Sequence, residues 1–136
     1  MPASALAAEL MEAFVIEGGH RLSGTVKAAG NKNGALPILA ATLLTSEPVT
    51  LSNVPRIRDV ETMLELLADV GTEVAWIGAN EVRVHAAEVE KHELDPVLCD
   101  RMRASFLLAG PLLSRLGRVT VQIGRASCRE RVYVLV

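Results

Sequence analysis

The segment Gly30-Asn31-Lys32-Asn33-Gly34 sets one cation and two amides at a strand-to-helix turn. A lysine there opposes the helix macrodipole, which favours negative charge at a helix N-terminus. An anion held between the ammonium and the free backbone N–H groups removes that cost, and helix N-termini readily hold anions. Arg101 and Arg103 stand at the start of a later predicted helix, with Asp100 in position to cap it. The same chemistry is therefore expected at two places. A solvated turn lysine, with Arg101 and Arg103 paired to Asp100 or Asp95, accounts for the same residues. The order GxxxxGK[ST] of a phosphate-binding loop is absent. Two cysteines, Cys99 and Cys128, and three scattered histidines make no metal-ligand spacing, so no metal is expected. His20 reads as a turn residue, His85 as a strand end, and Met63 and Met102 as core fillers.

Those residues need elements to hold them. Short β-type runs at 13–17 and 24–28 flank Gly18, Gly19 and His20, which predicts a hairpin. A helical pattern follows Gly30, with Leu36, Leu39, Ala40, Leu43 and Leu44 on one face. Pro37 is expected in its first turn, and the near-uniform apolarity predicts burial all round. A strand is predicted over 49–53. A second helix follows, with Asp59 as N-cap, Glu61 in the first turn, a core stripe of Val60, Met63, Leu64 and Leu67, and Gly71 as the stop. Arg56, Arg58 and Asp59 read as its solvated entry. Two alternating runs, 73–77 and 81–85, joined by Gly78, Ala79 and Asn80, predict a hairpin containing the single Trp76. A polar connection through Glu90 and Asp95 leads to a predicted third helix over 103–116, closed by Gly117, and a strand at 118–121.

Overlaying the first and third predicted helices with a shift of 70 positions places Leu36 on Phe106, Ala40 on Gly110 and Leu43 on Leu113. The same shift places Val49-Thr50-Leu51 on Val119-Thr120-Val121 and Asn33 on Arg103. One unit thus reads helix, strand, helix, hairpin, and begins again. Of 136 residues, 50% are hydrophobic and 3% aromatic, enough for an aliphatic α/β core but not for base-stacking platforms. Fourteen Lys and Arg against 16 Asp and Glu leave no basic footprint for nucleic acid or an anionic membrane. The longest uncharged run, 33–46, is shorter than the ~20 residues of a membrane span and contains Pro37. The first residues carry Glu9 and Glu12 and no basic n-region, so a cytoplasmic location is expected.

Several ordered motifs together resemble one family. They are Gly24-Thr25-Val26, then Gly30-Asn31-Lys32-Asn33-Gly34-Ala35-Leu36-Pro37-Ile38-Leu39-Ala40-Ala41, then Asn53-Val54-Pro55 with Asp59-Val60, and Met102-Arg103-Ala104-Ser105 with Gly110-Pro111-Leu112. Over residues 14–122 the chain is similar to the enolpyruvyl transferases that act as UDP-N-acetylglucosamine 1-carboxyvinyltransferases. The resemblance implies an inside-out α/β barrel of two lobes, each built from three copies of one module. It implies transfer of the enolpyruvyl group of phosphoenolpyruvate to the 3-hydroxyl of UDP-N-acetylglucosamine with loss of phosphate, the first committed step of peptidoglycan synthesis. Lys32 matches the lysine that holds phosphoenolpyruvate, Asn33 its neighbour that contacts substrate, and Arg103 the arginine at the nucleotide-sugar site. The two small molecules are the implied partners, and no cofactor is implied. Leu107 stands where some members carry Trp.

The family continues with Pro-Gly-Gly-Cys, whose cysteine is the general acid, where this chain reads Ile123-Gly124-Arg125-Ala126-Ser127-Cys128. Cys128 lacks the glycines and the following Arg-Pro, so it is not read as catalytic, and no catalytic residue is assigned. Ile123 to Val132 also matches the translation of a common sequencing adapter, so a non-native tail is expected over 123–136, with a genuine basic amphipathic tail as the alternative. The expected organisation is an extension at 1–13, a hairpin at 14–31 that in the family belongs to the second lobe, the start of the first lobe at 32–122, and the tail. Without its acid and second lobe this chain is expected to be inactive. The alternative is a non-catalytic module that binds a phosphate-bearing ligand.

Overall fold

The structure, a computed structural model, describes residues 15–21 and 23–121 and the backbone of 122 and 131–135. It is an α/β arrangement in which helices cover one three-stranded sheet. Helix α1 is Lys32–Ala41, extended by a 3-10 turn Thr42–Leu44, and strand β1 is Val49–Leu51. Helix α2, Arg58–Asp69, leads into strands β2, Glu73–Gly78, and β3, Glu81–His85. Helix α3, Pro96–Arg101, and a 3-10 turn, Arg103–Leu108, precede helix α4, Ala109–Leu116. Strands β4, Arg118–Gln122, and β5, Arg131–Leu135, follow.

Strand β3 is central, antiparallel to both neighbours in the order β1-β3-β2, with Val49 opposite Val84 and Val74 also opposite Val84. Val82 and Val84 are fully buried while Arg83 between them is exposed, the period-two pattern of a half-buried strand. The helices supply the other side of the core: Leu39 and Leu43 from the first, Val60, Met63, Leu66 and Leu67 from α2, Leu108 and Leu112 from the second helical segment. Each such side chain contributes roughly 1.5–3 kcal/mol by leaving water. Arg115 fastens the two helical segments together, donating to the carbonyl of Leu43 at 3.1 Å and to those of Ala86 and Ala87 at 3.1 and 3.2 Å.

Several expectations need correction. The hairpin predicted around Gly18–Gly19 does not form: 15–21 and 23–30 carry no strand, and Val15, Ile16 and Val26 are 88–93% exposed. A two-stranded ribbon is marginal without a surface to pack on, and nothing described packs against it. Helix α1 is not buried all round, since Ile38 and Leu44 are exposed. Pro37 lies beyond its first turn, inside the helix. Strand β1 stops at Leu51 because Asn53 adopts a left-handed φ of 57°. Asp59 sits one residue inside α2; its N-cap is Ile57, without a side-chain bond.

The expected third helix is divided. Asp100 does not cap it but lies within α3, a helix missing from the sequence reading, where the Asp95 carboxylate accepts from the N–H groups of Val97 and Leu98 at 2.7 and 3.1 Å. The Met102 backbone is extended, so Arg103–Leu108 restarts as a 3-10 turn before α4. Gly117 closes α4 in the left-handed conformation, φ 70°. Strand β5 falls in the expected tail and pairs antiparallel with β4, Val119 opposite Val134. Cys128, like the extension before residue 14, lies outside the described residues.

Candidate functional site

The entrance to α1 is built by a relay of asparagines. The Asn31 side chain caps the helix by accepting from the Gly34 N–H at 3.0 Å, as an N-cap amide does. The N–H groups of Lys32 and Asn33 point out of the first turn and carry no partner among the described residues. Behind this turn, Gly30 donates its N–H to Asn53 Oδ1 at 3.1 Å. The contact is so close that a Cβ on Gly30 would lie 1.8 Å from the Asn53 carbonyl oxygen. Asn53 is in turn held through its neighbour: the Val54 N–H donates to the Asn80 carbonyl at 2.9 Å, and Asn80 Nδ2 donates to the Val54 carbonyl at 2.9 Å. The β2–β3 turn therefore sets the position of the α1 entrance.

Lys32 Nζ donates to Asp59 Oδ2 at 2.9 Å, with both side chains partly exposed. The Asp59 carboxylate does what an anion at the turn would do, answering the lysine that opposes the α1 dipole. The expected pairing of Arg101 with Asp100 or Asp95 does not occur; its guanidinium lies 4.0 Å from Glu65 on α2. Arg103 is exposed at the start of its 3-10 turn and makes no ion pair among the described residues. The segment that carries it packs against α1, which places Arg103 and the Lys32–Asn33 pair on neighbouring elements. Beside the turn lies a cavity of about 210 Å³ lined by Gly30, Asn31, Gly34, Ile38, Asn53 and others, but by neither Lys32 nor Arg103.

Sequence reasoning missed Asn53, Asn80 and Asp59 as members of the site. The two asparagines sit where turn chemistry favours asparagine, and Asp59 is on a helix entry expected to be solvated. Cys99 is buried in the core, as an inert thiol should be. No group of three or more His, Cys, Asp or Glu placed to hold a metal occurs among the described residues. Lys91, bonded to the last residue of α2, has its pKa raised by a 2.6 Å hydrogen bond to Asp69 and by that carboxylate's charge.

Helices packed on an antiparallel sheet, with an amide-rich turn carrying Lys32 at the entrance to α1, define an α/β protein. Comparison with known proteins gives the family. Residues 16–131 match the family of EPSP synthase (3-phosphoshikimate 1-carboxyvinyltransferase), and the chain belongs to it. A curated relative from Bradyrhizobium diazoefficiens, named UDP-N-acetylglucosamine 1-carboxyvinyltransferase, is 58% identical over 106 residues, 78% of this chain and 25% of its own length. One of the same name from Deinococcus radiodurans is 44% identical over 108 residues, covering 79% and 25%. The solved enolpyruvyl transferase NikO from Streptomyces tendae superposes with a TM-score of 0.66 at 31% identity, over 79% of this chain and 25% of that one. The chain thus spans about a quarter of the length of these relatives.

Proposed function

We propose that this chain carries the enolpyruvyl-donor side of a UDP-N-acetylglucosamine 1-carboxyvinyltransferase active site, within an inside-out barrel built from repeated modules. The longer protein moves the enolpyruvyl group of phosphoenolpyruvate to the 3-hydroxyl of UDP-N-acetylglucosamine, releases phosphate, and so commits material to peptidoglycan. The observation that carries the reading is the α1 entrance: a lysine and unpartnered backbone N–H groups converge there, on a turn held rigidly from behind. A phosphate-bearing enol reacts through charged intermediates, and fixed cations stabilise that charge without a metal. Lys32 binds the phosphoenolpyruvate anion, displacing part of its contact with Asp59, and Asn33 orients the substrate from the first turn. Arg103 answers the diphosphate of the nucleotide sugar. The reaction is placed in the cytoplasm.

This chain alone binds without turning over, because no residue among those described is assigned as the general acid. The test has two measurements. Phosphate release requiring both substrates is expected to be absent from the purified chain, and its presence would refute the claim of inactivity. Titration with phosphoenolpyruvate, followed by amide chemical shifts of 31–35, is expected to saturate and to vanish in Lys32→Ala; unmoved amides would refute the anion site.

A further inference from the structure

Of the asparagines at 31, 33, 53 and 80, only Asn33 is followed by glycine. At an Asn-Gly step the side-chain amide is open to attack by its own main chain. The nitrogen of Gly34 attacks Asn33 Cγ, the side-chain nitrogen leaves as ammonia, and a cyclic imide closes. Water then opens the imide at either carbonyl, giving aspartate or isoaspartate. Glycine favours the ring because it has no Cβ to crowd the attacking nitrogen and a wide range of φ. A Cβ at 34 would meet only Asn31 Oδ1, at 3.8 Å, so the space around that nitrogen is open. The Asn33 residue is itself exposed.

The geometry of the first turn restrains this reaction. The Gly34 N–H donates to Asn31 Oδ1 at 3.0 Å, and the first main-chain bond of α1 runs from the Ala35 N–H to the Asn31 carbonyl at 3.0 Å. While both bonds stand, the proton that Gly34 must lose is engaged, and helical backbone at Asn33 keeps Cγ out of line with the nitrogen. Both bonds end on one residue, and residues 23–29 before it form no helix or strand. Helix ends of this kind open locally, without global unfolding.

We infer that Asn33 is a site of self-modification held back by the Asn31 cap, and that its product closes the α1 entrance to anions. The aspartate form keeps the fold, because a carboxylate in the first turn complements the helix dipole. It also sets a negative charge beside Lys32 and the unpartnered N–H groups, where it repels phosphate. The isoaspartate form adds a methylene to the main chain and spreads those N–H groups apart. The modification needs only these residues, whereas the closure rests on the anion site proposed above.

The test ages the intact chain in neutral buffer and follows the peptide containing Asn33 by mass spectrometry, which reads the change from amide to acid. Wild type is expected to gain the acid at 33 before 31, 53 or 80. Asn31→Ala is expected to speed the change about 5-fold, the factor by which an N-cap favours the closed turn. Asn31→Ser, which caps as well, is expected to return the wild-type rate. Gly34→Ala is expected to slow the change more than about 5-fold, since alanine favours the helix and crowds the nitrogen. An amide that persists at 33 in Asn31→Ala, equal rates in wild type and Asn31→Ala, or no rescue by serine overturns the guarded site. For the closure, Asn33→Asp is expected to bind inorganic phosphate about 5-fold more weakly than wild type in a titration of the 31–35 amide shifts, and equal binding overturns it. Phosphate that moves the amides of neither chain refutes the anion site and the closure together, while the mass readout, taken without phosphate, decides the modification by itself.

Discussion

Replacing Arg115 by methionine removes the guanidinium while keeping most of the apolar stem, and it cuts the side-chain hydrogen bonds that, among the described residues, join the two helical segments and the end of β3. Three bonds are lost, to the carbonyls of Leu43, Ala86 and Ala87, at 3.1 to 3.2 Å. A hydrogen bond from a charged donor is worth about 1.5–3 kcal/mol when well desolvated. Arg115 is only half-buried, so about 1 kcal/mol apiece is the appropriate figure, giving a loss of about 3 kcal/mol. The assay is urea unfolding followed by circular dichroism. With a slope of about 2 kcal/mol per M, the midpoint falls by about 1.5 M. Arg115→Lys keeps the charge but not the planar fork, and is expected to recover about a third of the loss by reaching one carbonyl. A midpoint shift below about 0.3 M for the methionine variant would refute the clasp, since the carbonyls would then be satisfied by water at no cost.

Three further outcomes are expected. In Gly30→Ala the new Cβ must move well over 1 Å from the Asn53 carbonyl, so the amide shifts of 31–34 change while global stability falls by less than about 1 kcal/mol, because the described residues 15–21 and 23–29 form no helix or strand that the shift would break. Asp59→Ala removes an exposed ion pair and a favourable first-turn charge, costing about 1 kcal/mol in urea unfolding, while phosphate binds about 2- to 5-fold more tightly in an amide-shift titration because Lys32 is no longer answered. Lys91 has a folded pKa raised above 10.5 by Asp69, so its stabilising contribution is complete below pH 10.5 and is lost as pH rises through the folded value. In Lys91→Met that alkaline loss should disappear from the pH dependence of the thermal midpoint.

Where periodicity was long and chemically consistent, the elements were legible. The α2 stripe of Val60, Met63, Leu64 and Leu67 is buried as its spacing demands, and the β2–β3 hairpin forms around Gly78-Ala79-Asn80. Helix α3 was missed although Asp95-Pro96 states it locally, an N-cap acid followed by proline in the first turn. Six residues carry too little periodicity to reveal a helix without that clue. The hairpin at 13–28 was over-read for the opposite reason: its turn chemistry is right, but alternation cannot show whether a surface exists to receive it. Of the site, Lys32 was legible because its charge conflicts with the helix dipole. Asn53, Asn80 and Asp59 were not, because each reaches the turn through contacts 23 to 27 residues away in the chain, which no local pattern encodes.

Those contacts also separate what holds the core from what shapes the site. The core depends on aliphatic side chains of α1, α2, β3 and α4, with Arg115 fastening the segments, and none of these touches the α1 entrance through a polar bond. The entrance depends on Asn80, Asn53 and Gly30, whose bonds lie at or near the surface and bury little apolar area. Substitutions along the asparagine relay therefore displace Lys32 and its N–H groups with little loss of folding free energy. Substitutions in the core lower stability by a few kcal/mol and leave the turn's geometry intact in the molecules that remain folded. Asn80→Ala tests the division most directly, since it removes the Nδ2 bond to the Val54 carbonyl without touching the core. Its urea midpoint should stay close to wild type while the amides of 31–35 shift. A large loss of stability with unmoved amides would show instead that the β2–β3 turn serves the sheet and not the site.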